Sequence, residues 1–285
     1  MDREEFIEQA YFFRVFRERL EDSTPAQEIL AGVRDEILTT TKLPLAIDFL
    51  VGELHVHGKI GHGMGRLKHY FMPFQTFIMQ KAEDEDARLD FRLALKMLER
   101  EAEFRADGNM TPQALFIYQF ECIARNRLGY TEGLDAITAD PTYDEYWQKW
   151  FKHVHLNLGS VDFADLVYMR SEQHLEDVRH RTRDADYQAS YAILFDRQTG
   201  RIAKANQGKD PLYMFAALQR QLGFPAVPRP APPRTKPLFE PHIDQRFHRL
   251  ENRLTLLEQE TKGELDLSKF YEGKKSPFGS DSDKS

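Results

Sequence analysis

Through most of the first 224 positions, apolar residues recur at intervals of three and four, the period of an α-helix that buries one face. In "REEFIEQAYFFRVFRERL" the residues Phe6, Ala10, Phe13 and Leu20 share a stripe that Ile7 and Phe16 widen. "DARLDFRLALKMLEREAEF" repeats the pattern through Phe91, Ala94, Leu95, Leu98 and Ala102, and Asp107-Gly108 after it offers a residue free to turn left-handed. "TPQALFIYQFECIARNRLG" and "DPTYDEYWQKWFKHVHLNLG" predict two more helices, ending at Gly129 and Gly159, and "VDFADLVYMRSEQHLEDVR" another, capped by Asp162. "LPLAIDFLVGELHV" fits a helix through Ile47, Leu50, Val51 and Leu54.

Four dipeptides mark expected helix starts: Thr24-Pro25, Thr111-Pro112, Asp140-Pro141 and Asp210-Pro211. Proline at the first helical position gives up no needed N–H, and the preceding side-chain oxygen can accept from an orphan amide. Gln27, three residues after Thr24, adds the pattern of a capping box. One stretch departs from the helical period. "SYAILFDRQTGRIAKAN" alternates Tyr191, Ile193 and Phe195 before "RQTG", which predicts a β-hairpin over about residues 190–206. The fold expected is mainly α: a multi-helix globular body over residues 1–224 with one small β-hairpin.

After Gly223 the pattern changes. Pro225 to Pro241 holds seven prolines in seventeen residues, a semi-rigid spacer able to reach on the order of 50 Å when extended. Its "RPAPPR" resembles proline-rich segments bound by aromatic grooves. Beyond it, over residues 242–261, Ile243, Phe247, Leu250, Leu254 and Leu257 alternate spacings of four and three, the repeat of a coiled coil. With Phe247 and Leu254 at a, the g positions are Arg246 and Arg253 and the following e positions are Glu251 and Glu258. Both pairs then match across a parallel dimer. A homo-oligomer is expected, although the seam is under three heptads and could also cover its own body. Residues 262–285 are polar and poor in apolar residues, as in disordered tails.

Charge narrows the partners. Of 39 basic and 46 acidic residues, 11 and 10 fall in positions 225–285, which leaves 28 against 36 in the body. An acidic body argues against nucleic acid as the partner. No apolar run nears the roughly 20 residues that cross a bilayer. The acidic opening "MDREEF" does not resemble a secretory signal, and the single Cys122 allows no internal disulfide, so a reducing, cytoplasmic setting is expected.

Candidate chemistry concentrates in "ELHVHGKIGHGMGRLKHYF", which holds four of the ten histidines. On a strand, Glu53, His55 and His57 would share one face and His62 could return from the glycine loop, forming a site for a divalent metal such as zinc. On a helix, His55 and His57 stand some 200° apart and cannot share an ion. Gly52 to Lys59 narrowly misses a phosphate-binding loop, with one residue too many and Ile60 where a hydroxyl is needed. Gly61, Gly63 and Gly65 could still expose amides to an anion. Cys122 is expected as a core thiol, and Tyr143, Trp147, Trp150 and Phe151 as an aromatic core stripe. No cofactor motif is present. The preferred expectation is a non-catalytic scaffold or adaptor that self-associates and binds a protein partner. The alternative is a metal-dependent or small-molecule enzyme centred on residues 53–69.

Overall fold

The computed structural model describes residues 1–37, 42–84 and 89–229. The chain divides into two units, Met1–Pro230 and Ala231–Ser285, and the described residues belong to the first. The spacer beyond Arg229, the heptad positions Ile243, Arg246, Phe247, Leu250, Glu251, Arg253, Leu254, Leu257 and Glu258, and the polar tail lie outside the described residues.

The body is mainly helical. Its elements are α1 (Arg3–Glu21), α2 (Ala26–Glu36), α3 (Leu43–His57), α4 (Gly61–Arg66), α5 (Pro73–Glu83), α6 (Phe91–Ala106) and α7 (Pro112–Asn126). They continue with α8 (Tyr130–Thr138), α9 (Glu145–Asn157), α10 (Phe163–Tyr168), α11 (Glu172–Thr182), α12 (Arg197–Ala205) and α13 (Pro211–Leu222). No helix among the described residues is long and apolar enough to cross a membrane.

α7 is the centre of the packing. Every residue from Ala114 to Ile123 is buried, so this helix is covered all round. Phe116 stacks on Phe151 of α9 with ring centroids 5.0 Å apart and meets Trp150 edge-on at 5.0 Å. Phe120 stacks on Phe163 of α10 at 4.0 Å. The aromatic stripe of α9 is therefore core. Cys122 is buried on the same helix, and loss of solvation pushes its thiol pKa well up, which leaves it a poor nucleophile.

Buried polar groups on α6 and α7 bond one another. The Arg105 guanidinium donates to Glu101 at 2.9 Å, to Asp140, and to the Thr142 hydroxyl at 3.0 Å. Gln119 donates to Glu101 at 2.8 Å and accepts from the Tyr143 hydroxyl at 2.8 Å. Charges this deeply buried are tolerable only when paired. α1 lies along α6 with Phe12, Phe13 and Phe16 buried. Gln9 donates to the Tyr70 carbonyl and accepts from Gln75 at 2.8 Å, which ties α1 to the start of α5.

Several expectations change. Thr111 and Asp210 cap α7 and α13 by accepting from Ala114 and Leu212. Asp140-Pro141 does not start a helix: Asp140 is drawn inside by Arg105, and α9 begins after Asp144, which accepts from Tyr146 and Trp147. α2 begins one residue past Pro25 with no side-chain cap, so the Thr24–Gln27 capping box does not form. Helix α6 ends on Asp107 in an extended conformation, and Gly108 does not adopt a positive φ. The predicted helix through Ser171 is split into α10 and α11, with Ser171 capping the second.

The β-hairpin at 190–206 is overturned. Phe195 makes a single bridge to Ser171, and the expected second strand is helix α12. Asp196 accepts from the Thr199 amide at 2.7 Å, so "RQTG" is the first turn of a capped helix. Gly200 is needed for packing: a Cβ there would stand 2.2 Å from the Ser171 hydroxyl. Nor does the body stop at Gly223, because Phe224 and Val227 are buried in its core.

Candidate metal centre and adjoining cleft

The histidine-rich segment folds as helix, turn, helix. α3 ends at Gly58, whose φ of 68° suits glycine, and the chain re-enters helix at Gly61. On α3, Glu53 and His57 are four residues apart and so lie on one face. His55 points elsewhere on the same helix, and the strand reading that joined His55 to His57 is overturned. His62 comes from α4. One ligand atom from each of Glu53, His57 and His62 lies within 4.8 Å of the other two. His69 takes no part in the group.

The glycines explain how the two helices come so close. A Cβ on Gly63 would stand 2.9 Å from Glu53 Cγ and 3.0 Å from Leu50 Cδ2, and one on Gly61 would stand 2.9 Å from the backbone of Gln80. Helix α4 thus passes between α3 and α5 because it lacks side chains at both contacts. That passage seats His62 above Glu53, with Nδ1 3.2 Å from Oε2. His57 Nε2 approaches the same oxygen at 4.0 Å, and the two imidazole rings meet edge-on at 5.7 Å.

The three groups differ in exposure. The Glu53 side chain is 8% exposed, against 51% for His57 and 65% for His62. Arg66 holds the second Glu53 oxygen, Oε1, at 2.5 Å while its guanidinium lies over the Phe49 ring at 4.9 Å. The hydrogen bond from His62, aided by the charge of Arg66 and of His57, holds the Glu53 carboxyl below its ordinary range against the contrary effect of burial. Oε2 is left facing the imidazoles. Ligands on a tetrahedral zinc, at about 2.1 Å from the ion, stand roughly 3.4 Å apart. The observed approaches of 3.2 and 4.0 Å to Oε2 bracket that spacing.

The amides at the start of α4 are already used. Ile60 and Gly61 donate to the Glu83 carboxylate at 2.6 and 2.7 Å, so the anion cradle suggested by the glycines is filled from within. Burial pushes the Glu83 carboxyl up, while these two amides and the charge of Lys59 pull the other way.

His62 also lines a cleft of about 1020 Å³ between α4, α5 and α8. Lys59, His62 and Lys68 line the α4 side, Phe77 lies on α5, and Glu132 and Ala136 form the α8 wall. Lys81 of α5 pairs with Glu132 of α8 across it. Comparison with family models, with curated proteins and with solved structures gives no match for this chain.

Sequence reasoning singled out the segment but grouped it on the wrong period. The useful signal was Glu53 to His57, a carboxylate and an imidazole at helical spacing. Arg66 and the α8 wall carry no such signal, since only packing brings them near.

Proposed function

We propose that this chain is a metal-dependent protein acting on a small molecule held in the α4–α5–α8 cleft. Glu53, His57 and His62 are the ligands, and zinc is the ion best suited to two imidazoles and one carboxylate. The observation that carries this reading is the convergence of three ligand atoms within 4.8 Å beside the cleft. Zinc held by three protein groups keeps a position for water, whose pKa it lowers to about 7, or for a substrate oxygen that it polarises. The chain supplies the rest. Arg66 keeps Glu53 aimed, as hydrogen bonds to ligating carboxylates do in metal sites, and His62 belongs to both the ligand set and the cleft wall.

Metal-stripped protein titrated with zinc by calorimetry tests this. One equivalent should bind to the natural chain and to His55→Ala, while His57→Ala and His62→Ala should each lose more than about 100-fold in affinity. Equal binding by His57→Ala and the natural chain would remove the reading.

A second reading rests on the heptad spacing of Ile243, Phe247, Leu250, Leu254 and Leu257. It makes the protein a self-associating scaffold in the cytoplasm that holds a protein partner through its C-terminal region. Exposed Arg–Glu pairs add about 0.2–1 kcal/mol each, so most of the association energy would come from the apolar seam. Sedimentation of the intact chain beside one ending at Pro241 is decisive: the first should be a dimer and the second a monomer, and two monomers at micromolar concentration would end the idea.

A further inference from the structure

We infer that the cleft takes a small apolar carboxylate, with the acid group at the α4 wall and the hydrocarbon body on the α5 floor. The inference deepens the metal reading and draws on it, because a bound ion would add positive charge at the same wall. Its independent support is the pattern of free and engaged charges around the cavity.

Four carboxylates and three lysines line the cleft. Glu83 accepts from the Ile60 and Gly61 amides, Glu132 pairs with Lys81, and Asp135 stands 3.8 Å from His155. Asp84 likewise has a partner. The cations differ. Lys81 is spent on Glu132, but Lys59 and Lys68 form no ion pair or hydrogen bond among the described residues. Lys59 is near enough to Glu83 to draw its titration down, yet makes no ion pair with it. Lys59 and Lys68 are therefore the cations of the cleft without an ion-paired partner among the described residues, and they sit on the wall that carries His62.

The spacing explains the placement. Lys59, His62, Gly65 and Lys68 are three residues apart in sequence, and all four line the cavity. Gly65 keeps this wall low: a Cβ there would lie 3.3 Å from Thr76 Cγ2. Below are Phe71, Met72 and Phe77, and Ala136 closes the far side. The apolar part of this floor gains from burying hydrocarbon, and Thr76 and Gln80 stand beside it. An anion with an apolar body satisfies both the lysines and the apolar floor, whereas an amine would meet like charge at the α4 wall.

The test compares octanoate, 1-octanol and octylamine, three probes with the same chain length, by calorimetry on the full chain loaded with zinc. Octanoate should bind at least about tenfold more tightly than either of the others. Lys59→Met and Lys68→Met, both at exposed positions and checked for an unchanged melting curve, should each shrink that preference. His57→Ala separates the two claims, since His57 does not line the cleft. Octanoate preference in a natural chain that binds zinc no more tightly than His57→Ala would sink the metal reading and leave this inference standing on the two lysines. Zinc binding with octanol equal to octanoate, or with no probe bound, would overturn this inference and spare the metal site.

Discussion

The surroundings of α7 and the corner where α3 meets α4 bury residues for opposite ends. Around α7, Phe116, Trp150, Phe151 and Phe163 fill space with large side chains, and the polar groups among them bond one another. At the α3–α4 corner, closeness comes from missing side chains, and one carboxylate is buried beneath two exposed imidazoles. A core made of bulk tolerates no loss of volume. A site made by glycines tolerates no gain.

The contrast should be sharpest in the aromatic region. Phe116→Ala would remove a fully buried ring touching four aromatic neighbours on α9 and α10, and should cost about 3–5 kcal/mol in a denaturant titration. A loss under 1 kcal/mol would show that the region is loosely packed. Gly63→Ala should destabilise less, by about 1–3 kcal/mol, because a Cβ would press on Glu53 and Leu50. Zinc affinity should fall with it, since Glu53 and His62 would be forced apart. If zinc affinity stays unchanged, the close passage of α4 is not what positions the ligands.

Gly52→Ala is the counterpart on the outer face of α3. Nothing lies within 4 Å of a Cβ there, so alanine should stabilise the helix by about 0.5–1 kcal/mol and leave zinc binding untouched. Destabilisation would mean that this face is covered in the native state. The gentlest probe is pH. The Glu53 pKa is lower in the folded chain than its ordinary 4.5, so its contribution is present above that value and is lost as pH falls through the folded pKa. Acid unfolding of the natural chain compared with Glu53→Gln should show a weaker pH dependence in the variant below pH 4.5. Superimposable curves would deny Glu53 this role.

Much of the fold was legible in local pattern. α1, α6, α7 and α9 follow from apolar spacing, and Thr111, Asp162 and Asp210 cap the helices that their positions announce. Where local signals misled, a tertiary partner had a competing use for the same residue. Asp140 looks like a cap but neutralises Arg105, and Gly200 looks like a turn but admits Ser171. The candidate site was half legible. Its segment stands out by composition, yet His55 was grouped with it on a strand period that the chain does not adopt.

The sequence by itself determined helices such as α1, α6, α7 and α9, because a face that must leave water writes its period into the chain. It also placed Glu53 and His57 on one turn, since their separation is a property of the helix alone. Only the tertiary structure decided that His62 would join them, that the free lysines would face a cleft closed by α8, and that Glu83 would occupy the amides of α4. Those meetings depend on how closely separate helices can approach, and that distance is set by the side chains absent at the contact, which no periodicity records.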